Sequence, residues 1–182
     1  MIKQTAQRRF LLLDSAIVSK TSNMALKVGE VTKHPANPLF GEDHSWERRF
    51  DNLYGNISFD REKGWYKCWY SPFIVAHSAQ GMSLSKRLEV PFDAHEDQEM
   101  GVCYAQSRDG VNWEKPDLGL VEFAGSRQNN LVMRKVHGAG IFQDDNDENP
   151  DRRYKAIFQG LRVSFSSNGL EWSEPQKINC QL

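Results

Sequence analysis

The sequence predicts an all-β domain, and three observations carry that expectation. A short element occurs twice, as Ser107-Arg-Asp-Gly-Val-Asn-Trp113-Glu-Lys-Pro116 and as Ser166-Ser-Asn-Gly-Leu-Glu-Trp172-Ser-Glu-Pro175. The residues before each copy alternate apolar and polar, with Val102 and Tyr104 in one and Val163 and Phe165 in the other, the period of a strand with one buried face. Helical periodicity is almost absent. Repeated strand and turn units of this kind make the four-stranded antiparallel meander of a β-propeller blade.

Residues 1–50 read as an N-terminal arm. Met1 to Gln7 could be a frayed helical start, Leu11 to Val18 reads as extended, and His34-Pro-Ala-Asn-Pro38 breaks regular structure. The apolar run Leu11 to Leu13 follows Arg8 and Arg9 and stops at Asp14, far too short for a membrane helix or a signal-peptide core. As written, the chain is expected to be soluble and cytoplasmic.

Residues 51–120 read as the first blade. Gly55 to Phe59 is its inner strand, and Trp65 to Tyr70 follows after a charged turn. A third strand runs into the Asp109-Gly110 pair, expected to be a tight hairpin turn, and a short strand then carries Trp113. Between the second and third strands, 71–100 reads as a long loop holding His77, Gly81, His95 and several acids. Loops of that length are usually functional or disordered.

Residues 121–182 repeat the order as a second blade and the start of a next one. Gly138 to Phe142 corresponds to Gly55 to Phe59, Tyr154 to Phe158 to the aromatic strand, and Trp172 to Trp113. The two tryptophans are expected to pack between adjacent blades. The acidic turn Asp144 to Asp151 suggests calcium superficially, but it lacks the glycine and closing glutamate of an EF-hand loop.

A formal net charge of −1 provides no field to hold nucleic acid or an anionic membrane. Cys68, Cys103 and Cys180 are too far apart for a metal-type pair or a disulfide framework. Cys68 and Cys103 fall in strand-like segments and are expected to be buried thiols. No glycine-rich phosphate loop opens a helix, so no cofactor is expected.

Several stretches resemble bacterial proteins identified as glycosyl hydrolases of the family 43/32-like, five-bladed propeller group. They are Lys33-His-Pro-Ala-Asn-Pro38, Trp46-Glu47, Tyr54-Gly55, Tyr66-Lys-Cys-Trp-Tyr70, the run from Tyr104 to Leu120, and Asn129-Asn130. The resemblance spans about Leu11 to Pro175. It implies a central funnel in which carboxylates from the inner strands of three blades cleave a glycosidic bond, one as acid and one as base or nucleophile, with aromatic rings stacking on sugar faces.

Three departures accompany the resemblance. Asn52 stands where the family nucleophile would, with Asp51 one residue away, and one residue reverses a strand side chain. Arg134 to Gly138 holds no carboxylate for the second position, and the third position belongs to a blade beyond Leu182. Asp51 and Glu47 are therefore the candidate catalytic acids. Trp46, Asn52, Tyr54 and His137 are the candidate sugar contacts, and no metal site is expected.

A blade uses about 40–50 residues, so 182 residues accommodate two blades and an arm. The expectation is a fragment of a longer protein, several copies closing a ring through open blade edges, or two units packed as a sandwich. The function expected is a glycoside hydrolase-like protein acting on oligo- or polysaccharide and completed by further blades. The alternatives are a non-catalytic carbohydrate-binding or interaction module, and a truncated, inactive gene product.

Overall fold

The computed structural model describes residues 18–51, 53–91, 93 and 97–178. The chain divides into two compact units, Met1–Pro35 and Ala36–Leu182. The described part of the first, residues 18–35, contains no helix or strand. Expectations that fall on Met1 to Ile17, Asn52, His95 or Cys180 lie outside the described residues.

The second unit is all-β, with two antiparallel sheets. The first is built from β1 (Asn56–Asp60), β2 (Trp65–Tyr70), β3 (Phe73–Ala76), β4 (Gln98–Ser107), β5 (Trp113–Glu114) and β6 (Leu131–Arg134). These six strands occupy four columns. β2 and β3 are successive halves of one column beside β4, interrupted at Ser71-Pro72, and β5 and β6 share the column on β4's other side. The second sheet is a plain meander of β7 (Gly140–Gln143), β8 (Tyr154–Phe158), β9 (Arg162–Ser166) and β10 (Gln176–Lys177).

The strand register exposes the repeat. Ser107 opposes Tyr66 in the first sheet as Ser166 opposes Tyr154 in the second, which makes Lys67 equivalent to Lys155 and Trp69 to Ile157. The first strands then align Asn56 with Gly140 and Asp60 with Asp144. Pairing Gly55 with Gly138, as the sequence suggested, is therefore one residue out of register. Gly55 is matched by Ala139, and Gly138, with a φ of 64°, lies in the bend before β7. An ion pair confirms the alignment, because Lys67 Nζ lies 2.9 Å from Asp60 and Lys155 Nζ 2.8 Å from Asp144.

One face of the first sheet packs on the second. Trp69, Val102, Tyr104 and Val132 meet Ile141, Tyr154, Ala156 and Phe158. Trp69 is fully buried, and its indole N–H donates to the Gly169 carbonyl at 2.6 Å. A buried ring of this size contributes roughly 5 kcal/mol of apolar burial. Lys67 reaches across the same interface and donates to the Tyr154 hydroxyl at 2.8 Å. Phe40, Trp46, Phe50 and Leu53 cover the other face of the first sheet around Tyr70 and Cys68, so Phe40, Trp46 and Phe50 of the expected arm, residues 1–50, pack on the core.

Three expectations are corrected. The stretch 71–100 is not one loop, because it holds β3, a 3-10 turn (His77–Ala79), the short helix α1 (Leu84–Arg87) and the start of β4. Phe73 and Ile74 are buried there, but a run of four residues is too short to display a period. The Asp109-Gly110 turn is not a tight hairpin, since residues 108–112 separate β4 from β5. Trp172 is not in a strand. The Ser173 amide and hydroxyl bond back to β9, and pairing resumes only at β10.

Candidate functional site

The first strands of the two sheets lie side by side, tied at their starts by Asn56. Its amide group donates to the Ala139 carbonyl at 2.9 Å and accepts from the Ile141 amide at 3.0 Å. It also donates to the Tyr54 carbonyl at 2.6 Å. Farther along, the Ser58 hydroxyl donates to Gln143 at 3.1 Å. A strand edge normally leaves such backbone groups to water, and here an asparagine side chain satisfies them.

Two residues singled out from sequence meet at this corner. Tyr54 has a φ of 44° and stays 39% exposed. Its ring meets the His137 ring edge-on, with centroids 5.9 Å apart and planes at 70°. His137 lies between Lys135 and Gly138, both at positive φ, and its carbonyl accepts from the Gln159 amide at 2.9 Å.

Beside the corner is a cleft of about 540 Å³ lined by Phe73, Gln98, Glu99, Met100, Lys135, Val136, His137, Gln159 and Arg162. Arg134 grips Glu99 with two hydrogen bonds of 2.6 and 2.9 Å. That contact holds the Arg134 guanidinium above its ordinary pKa and neutralises Glu99, the one carboxylate on the wall among the described residues.

Glu47 lies elsewhere, in a sealed network. The residue is 4% exposed, and both oxygens already hold donors. Tyr70 donates to Oε1 at 2.6 Å, Lys115 to both oxygens at 2.8 and 2.9 Å, and the Asp43 and His44 amides to Oε2 at 2.9 and 3.0 Å. Burial, reinforced by Cys103 and Glu47, pushes the Tyr70 phenol far up. The network continues through Asn130, which donates to the Tyr70 hydroxyl at 2.7 Å and accepts from the Trp46 indole at 2.9 Å. Trp46 is half-buried and stacks on His44 at 4.5 Å. This arrangement holds 40–53 against the sheet and leaves Glu47 no free lone pair for proton transfer.

Asp51 is exposed and paired with Arg49 at 2.5 Å, and Asn52 lies outside the described residues. The structure thus brings Tyr54 and His137 together, and Trp46 and Glu47 together, as two separate groups. In the acidic turn, Lys155 lies 2.8 Å from both Asp144 and Asp147, so an ammonium fills the space between them.

Sequence reasoning missed Asn56, Lys115 and Asn130. A signal existed for Lys115, because the repeat carries Glu174 at the matching position, and a charge reversal inside a repeat marks a special contact. Asn56 and Asn130 carry no such mark.

No protein-family model matches the chain, and neither a curated protein nor a solved structure is significantly similar to it. Among the described residues no helix is long and apolar enough to cross a membrane. Chemically, the corner offers an aromatic face, an imidazole and side-chain amides beside a polar cleft. Among the described residues it does not bring together the two opposed carboxylates that glycosidic cleavage uses.

Proposed function

We propose that the two sheets are consecutive blades of a β-propeller and that the corner where their first strands begin binds a carbohydrate. The observation that carries the binding reading is the Tyr54–His137 pair at the starts of two adjacent strands, open to solvent beside a polar cleft. Sugars present alternating apolar faces and hydroxyl edges, so an exposed ring next to imidazole and amide groups matches both. Support for the blade reading comes from the register repeat and from the ion pair that recurs with it. The resemblance to the 43/32-like glycosyl hydrolases points to the same ligand class.

A cleaving version of this reading has one observation in its favour. Asp51, three residues before Tyr54 in the chain, is accessible. Its partner acid would have to be a residue other than Glu47, whose oxygens are saturated.

The test is titration calorimetry of the purified chain against neutral and acidic oligosaccharides, with reducing ends assayed in parallel. Binding without cleavage is expected, and Tyr54→Ala should weaken it about tenfold, the loss of one aromatic contact of about 1.4 kcal/mol. Absence of binding, or binding indifferent to Tyr54→Ala, would overturn the proposal.

A further inference from the structure

The wall of the cleft beside Tyr54 and His137 is electrostatically one-sided. Among the described residues its only carboxylate is Glu99, which is consumed by the two-pronged bond from Arg134. Lys135 and Arg162 also line it, and neither forms an ion pair with a carboxylate among the described residues. With Glu99 neutralised by Arg134, the described residues of the wall keep the two positive charges of Lys135 and Arg162, although the whole chain is at −1. Other cations near strands are met differently. Lys67 has Asp60, Lys115 has Glu47 and Asp43, and Lys155 has Asp144 and Asp147.

The backbone delivers Lys135 and Arg162 to this place. Lys135 follows β6 with a φ of 57°, and Arg162 opens β9 directly after Leu161 at 52°. Left-handed backbone costs a side-chain-bearing residue about 1 kcal/mol, and such positions cluster where a structure presents groups to a ligand. Between the cations, Gln98, Gln159 and His137 add groups able to donate or accept hydrogen bonds. A volume of about 540 Å³ falls within the usual range of small-ligand sites.

We propose that the sugar taken at this mouth is anionic, carrying a carboxylate or a sulfate, and that Lys135 and Arg162 receive its charged group. The inference rests on the reading of the mouth as a carbohydrate site. A planar guanidinium suits either oxyanion, and an ammonium on a flexible stem adapts to the remaining oxygen. Tyr54 then contacts the ring of the sugar, and the cations set which sugar is preferred.

The experiment titrates the whole chain with three probes of matched length: an oligogalacturonate, a sulfated galactan oligomer and a neutral galactan oligomer. Each is measured at low and at raised salt, for the parent chain, Lys135→Gln, Arg162→Gln and Tyr54→Ala. The melting temperature of each variant checks the fold. At least one acidic probe should bind tenfold or more tighter than the neutral one, with the preference shrinking in salt. Either glutamine variant should bring acidic binding down towards the neutral level while neutral binding persists. Whichever acidic probe is preferred identifies carboxylate or sulfate as the group held. Equal affinity for neutral and acidic probes, all sensitive to Tyr54→Ala, would overturn the anionic inference and leave the carbohydrate reading standing. Acidic preference indifferent to both glutamine variants would also overturn it, because the anion would then be held elsewhere. If no probe binds, both readings fall.

Discussion

Serine, Asx, glycine and tryptophan in the repeated element each have a separate physical job. The Ser107 hydroxyl accepts from the Gly110 amide at 2.9 Å, and Ser166 does the same for Gly169 at 2.8 Å. Asp109 accepts from the Val111 and Asn112 amides, as Asn168 does from Leu170 and Glu171. The Asn112 and Val111 amides hold the Asp109 carboxyl well below the usual carboxylate range. Each tryptophan N–H closes the loop on the glycine carbonyl at 3.1 Å. The two glycines share a positive φ but not their surroundings. A Cβ on Gly169 would stand 2.6 Å from Trp69, whereas on Gly110 it would make only ordinary contact with Tyr66 at 3.7 Å. Gly169→Ala should therefore cost about 3 kcal/mol, backbone strain plus overpacking, and Gly110→Ala about 1 kcal/mol. Urea unfolding of the two variants checks the difference. Equal losses would mean that Trp69 does not pack against this turn.

At the scale of elements, residues 40–53 and the first sheet are joined by buried charge. Removing one partner of such a pair leaves the other without compensation. Glu47→Ala leaves Lys115 with Asp43 alone and the Tyr70 hydroxyl proton without its acceptor, and should cost about 3 kcal/mol, read as a lower urea midpoint. If Glu47 served only chemistry, the midpoint would hold. Most strands were legible because apolar and aromatic runs such as Trp65 to Tyr70 and Tyr154 to Phe158 each follow a charged turn. β3 was not, since Phe73 to Ala76 is short and apolar throughout. The register of β7 was also missed, because Gly138 offers an apparent partner for Gly55, whereas the hydrogen-bonded register matches Gly55 with Ala139. Of the site, Tyr54 and His137 were legible one at a time as polar aromatic groups beside inner strands. Their meeting depends on Asn56, a side chain with no sequence mark, and on how the two sheets pack.

For the whole molecule, the repeat makes one face conspicuous. The face of the first sheet that buries Lys67 and Trp69 against the second sheet corresponds, by register, to the face of the second sheet that carries Lys155 and Ile157. On that face Phe142 is 55% and Ile157 47% exposed. Contiguous apolar residues on an open sheet face favour association. Light scattering of the purified chain should show concentration-dependent mass, and Phe142→Ser with Ile157→Ser should reduce it. A parent chain that stays monomeric at every concentration would count against an open blade face. Whether the ligand sits at the corner itself is read by a backbone amide NMR titration with the tightest-binding oligosaccharide. Shifts confined to Tyr54, Asn56, Lys135, His137, Gln159 and their neighbours are the expected result. Shifts that leave this corner untouched and gather elsewhere on the chain would contradict the corner site.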